Sequence, residues 1–86
     1  MAVYRVELRS SADRELSRLD RQILNRVVAA IDALGEQPRP VGVRKMAGTD
    51  HTYRIRVGDY RVVYTIYDAT KLVSVERVRH RSDAYR

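Results

Sequence analysis

The sequence contains no cysteine. That excludes disulfides and thiolate metal sites, and it leaves the redox compartment unread. Histidine occurs only twice, at His51 and His80, with no spaced carboxylate cluster beside either. No metal centre is therefore expected. No apolar run has the length of a signal peptide or a membrane span, and the first ten residues, MAVYRVELRS, are interrupted by charge. A cytoplasmic protein with no membrane partner is the expectation. Walker, Rossmann and nucleophile-elbow patterns are missing as well. The two prolines, Pro38 and Pro40, fall in a single loop.

What is present is an 86-residue chain, 44% hydrophobic, with its apolar residues spread throughout. The length predicts one domain over residues 1–86 with a core just large enough to fold alone. Positive charge dominates, with a net charge of +6. It is unevenly placed. Residues 1–43 carry seven Lys/Arg against six Asp/Glu, a net of +1, and residues 44–86 carry ten against five, a net of +5. Such asymmetry points to nucleic acid or another acidic partner.

The basic half is organised around Thr52 to Tyr67, TYRIRVGDYRVVYTIY. Apolar and polar residues alternate, break at Gly58-Asp59, and alternate again. Glycine in the first position of a two-residue loop suits a type II′ turn, so a tight hairpin is predicted. The register follows: Val57 faces Tyr60, Arg56 faces Arg61, Ile55 faces Val62, Arg54 faces Val63 and Tyr53 faces Tyr64. One face then holds Tyr53, Ile55, Val57, Tyr60, Val62 and Tyr64, and the other Arg54, Arg56 and Arg61. Like charges directly across a strand pair are destabilising. Two readings of the arginine face stand: a site for a polyanion such as a phosphate backbone, or a solvated face that is merely basic.

Ahead of the hairpin, alternation over Ala2 to Arg9 predicts a strand. Ser10 and Ser11 are N-cap candidates for a short helix with Ala12, Leu16 and Leu19 as its stripe, ending near Leu19. Asp20 is expected to cap a second helix, stapled by Leu19 and Leu24, with Ile23, Val27, Ala30, Ile31 and Leu34 inward and Gly35 as its terminator. The charged faces of both helices read as solvent faces. Arg44-Lys45-Met46 is a short strand candidate. After the hairpin, Leu72 to Val78 reads as a strand of unclear phase, apolar on both sides and so central or twisted. The order is β-α-α-β-β-β-β. This is an α+β fold with two N-terminal helices packed on one face of a twisted, mostly antiparallel sheet, the arginines on the open face.

The tail Arg79-His80-Arg81-Ser82-Asp83-Ala84-Tyr85-Arg86 adds a proton-exchanging histidine, a tyrosine and more arginines at a strand end. Taken alone, Tyr85 as an edge aromatic and His80 as a surface residue would suffice.

Ala12-Asp13-Arg14-Glu15-Leu16, the segment Tyr53 to Tyr64 and the His80-Arg81 … Tyr85 tail together resemble the RelE family of toxins from bacterial and archaeal toxin–antitoxin pairs. The resemblance spans nearly the whole chain and is strongest in the hairpin. It implies ribosome-dependent cleavage of mRNA by attack of a ribose 2′-hydroxyl on the adjacent phosphate, with no metal or other cofactor. Arg61 resembles the family's phosphate-stabilising arginine. Arg54 and Arg56 stand where many relatives carry basic strand residues, sometimes lysines. Arginine stays protonated, so here these two would be electrostatic clamps, leaving His80 or Tyr85 to move protons. Arg81 resembles the second family arginine, although an alignment on Arg79 is also possible. Arg44, Lys45 and Arg79 are expected to contact RNA. An acidic RelB-like antitoxin, the ribosome and mRNA are the implied partners. A ParE-like gyrase inhibitor and a non-catalytic RNA- or ribosome-binding translation inhibitor are the alternatives.

Overall fold

A computed structural model describes residues 3–82 of the chain. Its elements are β1 (Arg5–Leu8), α1 (Ser10–Leu16), α2 (Arg21–Ala33), β2 (Arg44–Lys45), β3 (Thr52–Val57), β4 (Tyr60–Tyr67) and β5 (Leu72–His80). The strands form one sheet in the order β1-β5-β4-β3-β2. Only β1 and β5 pair in parallel; the other neighbours are antiparallel. Architecture and element order match those expected.

The hairpin carries the register read from its alternation, from Val57 opposite Tyr60 back to Tyr53 opposite Tyr64. Gly58 has φ +59 while Asp59 does not enter the left-handed region. A type II′ turn has that signature. The inward side chains Ile55, Val57, Val62, Tyr64 and Ile66 are buried against Ala12 and Leu16 of α1 and Val27 and Ile31 of α2, with Leu34 just beyond. The α2 stripe buries as its 3.6-residue spacing requires.

The ambiguous phase of β5 has a specific cause. Arg77 pairs with Val63 and Val75 with Tyr64, so Glu76 is an extra residue in the ladder. A bulge of this kind flips the alternation. Val73, Val75 and Val78 therefore all reach the core. The strand lies between β1 and β4, which is why it is apolar on both sides of the bulge.

Local details differ from expectation at the helix starts. Arg9, not a serine, occupies the N-cap of α1, and no side chain caps it. Ser11 instead donates its hydroxyl to the carbonyl of Glu76 at 2.7 Å. Helix α1 ends at Leu16 rather than near Leu19. Asp20 does hold the N-cap position of α2, but its side chain makes no capping bond. Gly35 follows the C-cap of α2 for a reason other than a left-handed φ: a Cβ there would stand 3.0 Å from the backbone oxygen of Tyr4. Tyr4 and Val3 both donate their N–H groups to the Gly35 carbonyl, and that close approach is what glycine permits.

Where β1 stops, α1 takes over the exposed edge of β5. Arg9 N–H donates to Val75 O, Ser11 to Glu76 O, and Val78 N–H donates to Glu15 Oε1 at 2.8 Å. The helix thus covers strand groups that would otherwise lack partners.

Candidate functional site

The face of the sheet away from the helices is built by register. Arg56 lies opposite Arg61 on β4, and Arg61 lies opposite Arg79 on β5. Arg54 lies between Arg44 on β2 and Val63 on β4. Arg44, Arg54, Arg56 and Arg61, with Gly42, line a cavity of about 360 Å³. Gly42 has φ +89 and nothing near the position of a Cβ, so the loop entering β2 leaves this opening wide. Arg44 and Arg56 are exposed, Arg54 is half-buried, and Arg61 is 8% exposed. Among the described residues the ion pairs involve other arginines; Arg44, Arg54 and Arg56 enter none of them. Four guanidinium groups around one opening form a concentrated positive field walled by low-dielectric protein, which focuses attraction on an anion. Guanidinium forks match phosphate oxygens in geometry as well as charge.

The end of β5 distributes its side chains over two faces. Arg79 belongs to the arginine row by register, yet its Nε lies 3.7 Å from Glu15 Oε2 at the edge covered by α1. His80 lies opposite Tyr60 and meets it edge to face, ring centroids 5.2 Å apart. Alternation from the buried Val78 puts His80 on the helix side of the sheet. There, with Glu15, Arg18, Leu19, Tyr60, Val78 and Arg79, it lines a smaller cavity of about 190 Å³. His80 Nδ1 lies 2.8 Å from Ser82 Oγ and accepts the Ser82 N–H at 3.2 Å. Arg81 is exposed, with its Nε 3.9 Å from Asp59 Oδ1. Lys45 is exposed on β2 across from Tyr53. Tyr85 lies outside the described residues.

The structure therefore brings Arg44, Arg54, Arg56 and Arg61 to one cavity and sets Arg79 beside it. His80 is not among the cavity-lining groups. Glu15 was missed by the sequence reading, which assigned the charged side of α1 to solvent. It is only 19% exposed and touches both Arg77 and Arg79. No local pattern marks it, because its partners lie more than sixty residues away.

At the opposite end of the sheet a polar tie fixes the loop after α2. Arg39 donates to both oxygens of Asp68, Tyr4 donates its hydroxyl to Asp68 at 2.6 Å, and Arg39 also reaches the Tyr53 hydroxyl and ring. The hydrogen bonds from Arg39 and then Tyr4 hold the Asp68 carboxyl down at about 2. Nearby, the buried Tyr64 hydroxyl donates to Pro38 O at 2.7 Å, and burial pushes that phenol well above its ordinary value.

Residues 6–85 match the model of a family described as the ParE toxin of type II toxin–antitoxin systems, parDE. Toxin RelG of Mycobacterium tuberculosis is 39% identical over 87 residues, covering 96% of this chain and 97% of that one. The RelE–RelB complex of Pyrococcus horikoshii OT3 matches with a TM-score of 0.82 at 30% identity, over 92% of this chain and 96% of the matched chain. The RelBE2 toxin–antitoxin complex of M. tuberculosis matches with a TM-score of 0.79 at 36% identity, over 96% and 97%.

Proposed function

Since this chain belongs to the ParE toxin family of type II toxin–antitoxin systems, within the RelE/ParE superfamily, we propose that it is a ribosome-dependent mRNA endoribonuclease held in check by an acidic RelB-like antitoxin. The observation that carries the reading is the cavity lined by Arg44, Arg54, Arg56 and Arg61. Four guanidinium groups around one opening suit a phosphodiester backbone, whose successive anionic oxygens can each take a guanidinium fork.

The reaction is attack by a ribose 2′-hydroxyl on the adjacent phosphate with departure of the 5′-oxygen. The nucleophile belongs to the substrate, so the protein must position the phosphate, neutralise the charge that builds on it and move two protons. Arg61, short of solvent and fixed in the hairpin, takes the developing charge on the phosphorane. Arg54 and Arg56 clamp the flanking oxygens, and Arg44, Lys45, Arg79 and Arg81 hold the neighbouring backbone. The proton of the 2′-hydroxyl is assigned to the Tyr85 phenolate, a form that cations nearby would favour, with His80 the other candidate. The acid so formed, or water exchanging with it, protonates the departing 5′-oxygen. The ribosome supplies the extended mRNA, so the site of action is the cytoplasm.

The experiment uses purified ribosomes programmed with mRNA, with cleavage read by primer extension. The wild-type protein is expected to cut, and Tyr85→Phe to slow cutting by at least about a hundredfold. If Tyr85 only stacks on a base, Phe suffices and Ala does not. A His80→Gln, Tyr85→Phe double variant that cuts at the wild-type rate overturns the proton-transfer assignment. No cutting at all overturns the nuclease reading. The family match is to a ParE description, so a gyrase supercoiling assay belongs beside it: inhibition there without mRNA cleavage would favour the gyrase reading.

A further inference from the structure

Across β3, β4 and β5 the register sets Arg56, Arg61 and Arg79 side by side. Side chains opposite one another on neighbouring strands are close enough for long residues to share one ligand. Arg79 instead turns toward α1, its Nε 3.7 Å from Glu15 Oε2. That separation is a charge contact and too long for a hydrogen bond. The same oxygen lies 3.3 Å from Arg77 Nη2, and the other carboxylate oxygen accepts the Val78 N–H at 2.8 Å. Glu15 is thus pinned to the strand edge by two contacts that do not involve Arg79. Arg79 could leave without stranding the carboxylate, and its side chain is 34% exposed.

We propose that Glu15 is a positioning residue that holds Arg79 at the α1 edge and yields it to a phosphate that enters beside the arginine row. The inference rests on the phosphate reading of the cavity. A phosphate beside Arg61 offers Arg79 full charge-assisted hydrogen bonds, and Glu15 offers a single loose contact. Glu15 therefore competes with the RNA backbone for Arg79 and weakens binding by the strength of a part-exposed ion pair.

The test uses a short RNA oligonucleotide with a 2′-O-methyl group at each ribose, which binds but cannot be cut, and fluorescence anisotropy at low salt. Glu15→Gln keeps an oxygen for the Val78 N–H and removes the charge. It should bind this RNA about two- to fivefold more tightly than wild type, and the gain should vanish when Arg79→Ala is added. Equal affinity of Glu15→Gln and wild type, or a gain that survives in the double variant, overturns the proposal. Arg61→Ala is the separate control: if it leaves affinity unchanged, the phosphate reading itself fails. Should Glu15→Gln not fold, the Nε–H resonance of Arg79 in the wild-type protein, assigned with Arg79→Lys, provides the second measurement. Inorganic phosphate should move it together with that of Arg61, and an Arg79 resonance unmoved at saturation overturns the proposal.

Discussion

Arg61 is 8% exposed and lines its cavity with three further arginines. Crowding like charges in this way costs folding free energy. Arg61→Ala should cost at least about 2 kcal/mol of transition-state stabilisation, roughly a thirtyfold loss in cleavage rate, the scale of one well-placed contact to a developing oxyanion. The variant should remain folded by circular dichroism, because repulsion is relieved. A wild-type cutting rate would remove Arg61 from the mechanism. Tyr64 makes the contrasting case of a polar atom serving the fold. Its ring is wholly buried and its hydroxyl satisfies Pro38 O. Tyr64→Phe keeps the ring and leaves that carbonyl without its partner, so urea unfolding should show a loss of about 1–2 kcal/mol. An unchanged midpoint would mean that water replaces the hydroxyl.

Between the elements, the tie at Asp68 predicts a pH dependence. Its carboxyl is held down at about 2, chiefly by the hydrogen bonds from Arg39 and then Tyr4. A carboxyl depressed on folding adds stability that is fully present above its unfolded value, about pH 4. That contribution is lost as pH falls from there toward about 2. The melting temperature of Asp68→Asn should accordingly lie below that of wild type at neutral pH and converge on it as the pH drops through this window. A gap that stays constant across the window would rule out the carboxylate as its source. The tie joins the loop after α2 to Tyr4 just ahead of β1 and to the β4–β5 turn, and it meets β3 at Tyr53, which packs against the core on the face opposite to the arginines. Asp68→Asn is therefore expected to change stability more than RNA affinity.

For the molecule as a whole, Arg44, Arg54, Arg56 and Arg61 of the strongly basic half line one cavity, with Arg79 in the same row by register, while the helices belong to the nearly balanced half. An acidic antitoxin should be steered to the basic face, so its association rate should fall steeply as salt rises, with a smaller change in the dissociation rate. Stopped-flow mixing with a RelB-like antitoxin would measure both. An association rate indifferent to salt, or a complex in which Arg54, Arg56, Arg61 and Arg81 all stay as accessible as before, would contradict it.

Alternation and turn chemistry act over a few residues, and what depends on them was legible in the chain by itself. The Gly58-Asp59 turn fixed the register of β3 on β4, hence the shared face of Arg54, Arg56 and Arg61, and the 3.6-residue stripe fixed the buried side of α2. The resemblance to RelE toxins supplied the candidate site residues beyond that face. Long-range packing decided the rest. The extra residue Glu76 flips the phase of β5, and no local pattern announces a bulge that exists only against Tyr64 and Val63 on the neighbouring strand. Gly35 does follow the C-cap of α2 as expected, yet glycine is needed there because the backbone of Val3 and Tyr4, just ahead of β1, crosses it. His80 sits beside the arginines in sequence but faces α1, since one step along a strand reverses the side chain. Glu15 gained its partners only when α1 settled along the edge that β1 leaves uncovered. The chain thus determined which charges share a face, and the tertiary structure decided which of them meet.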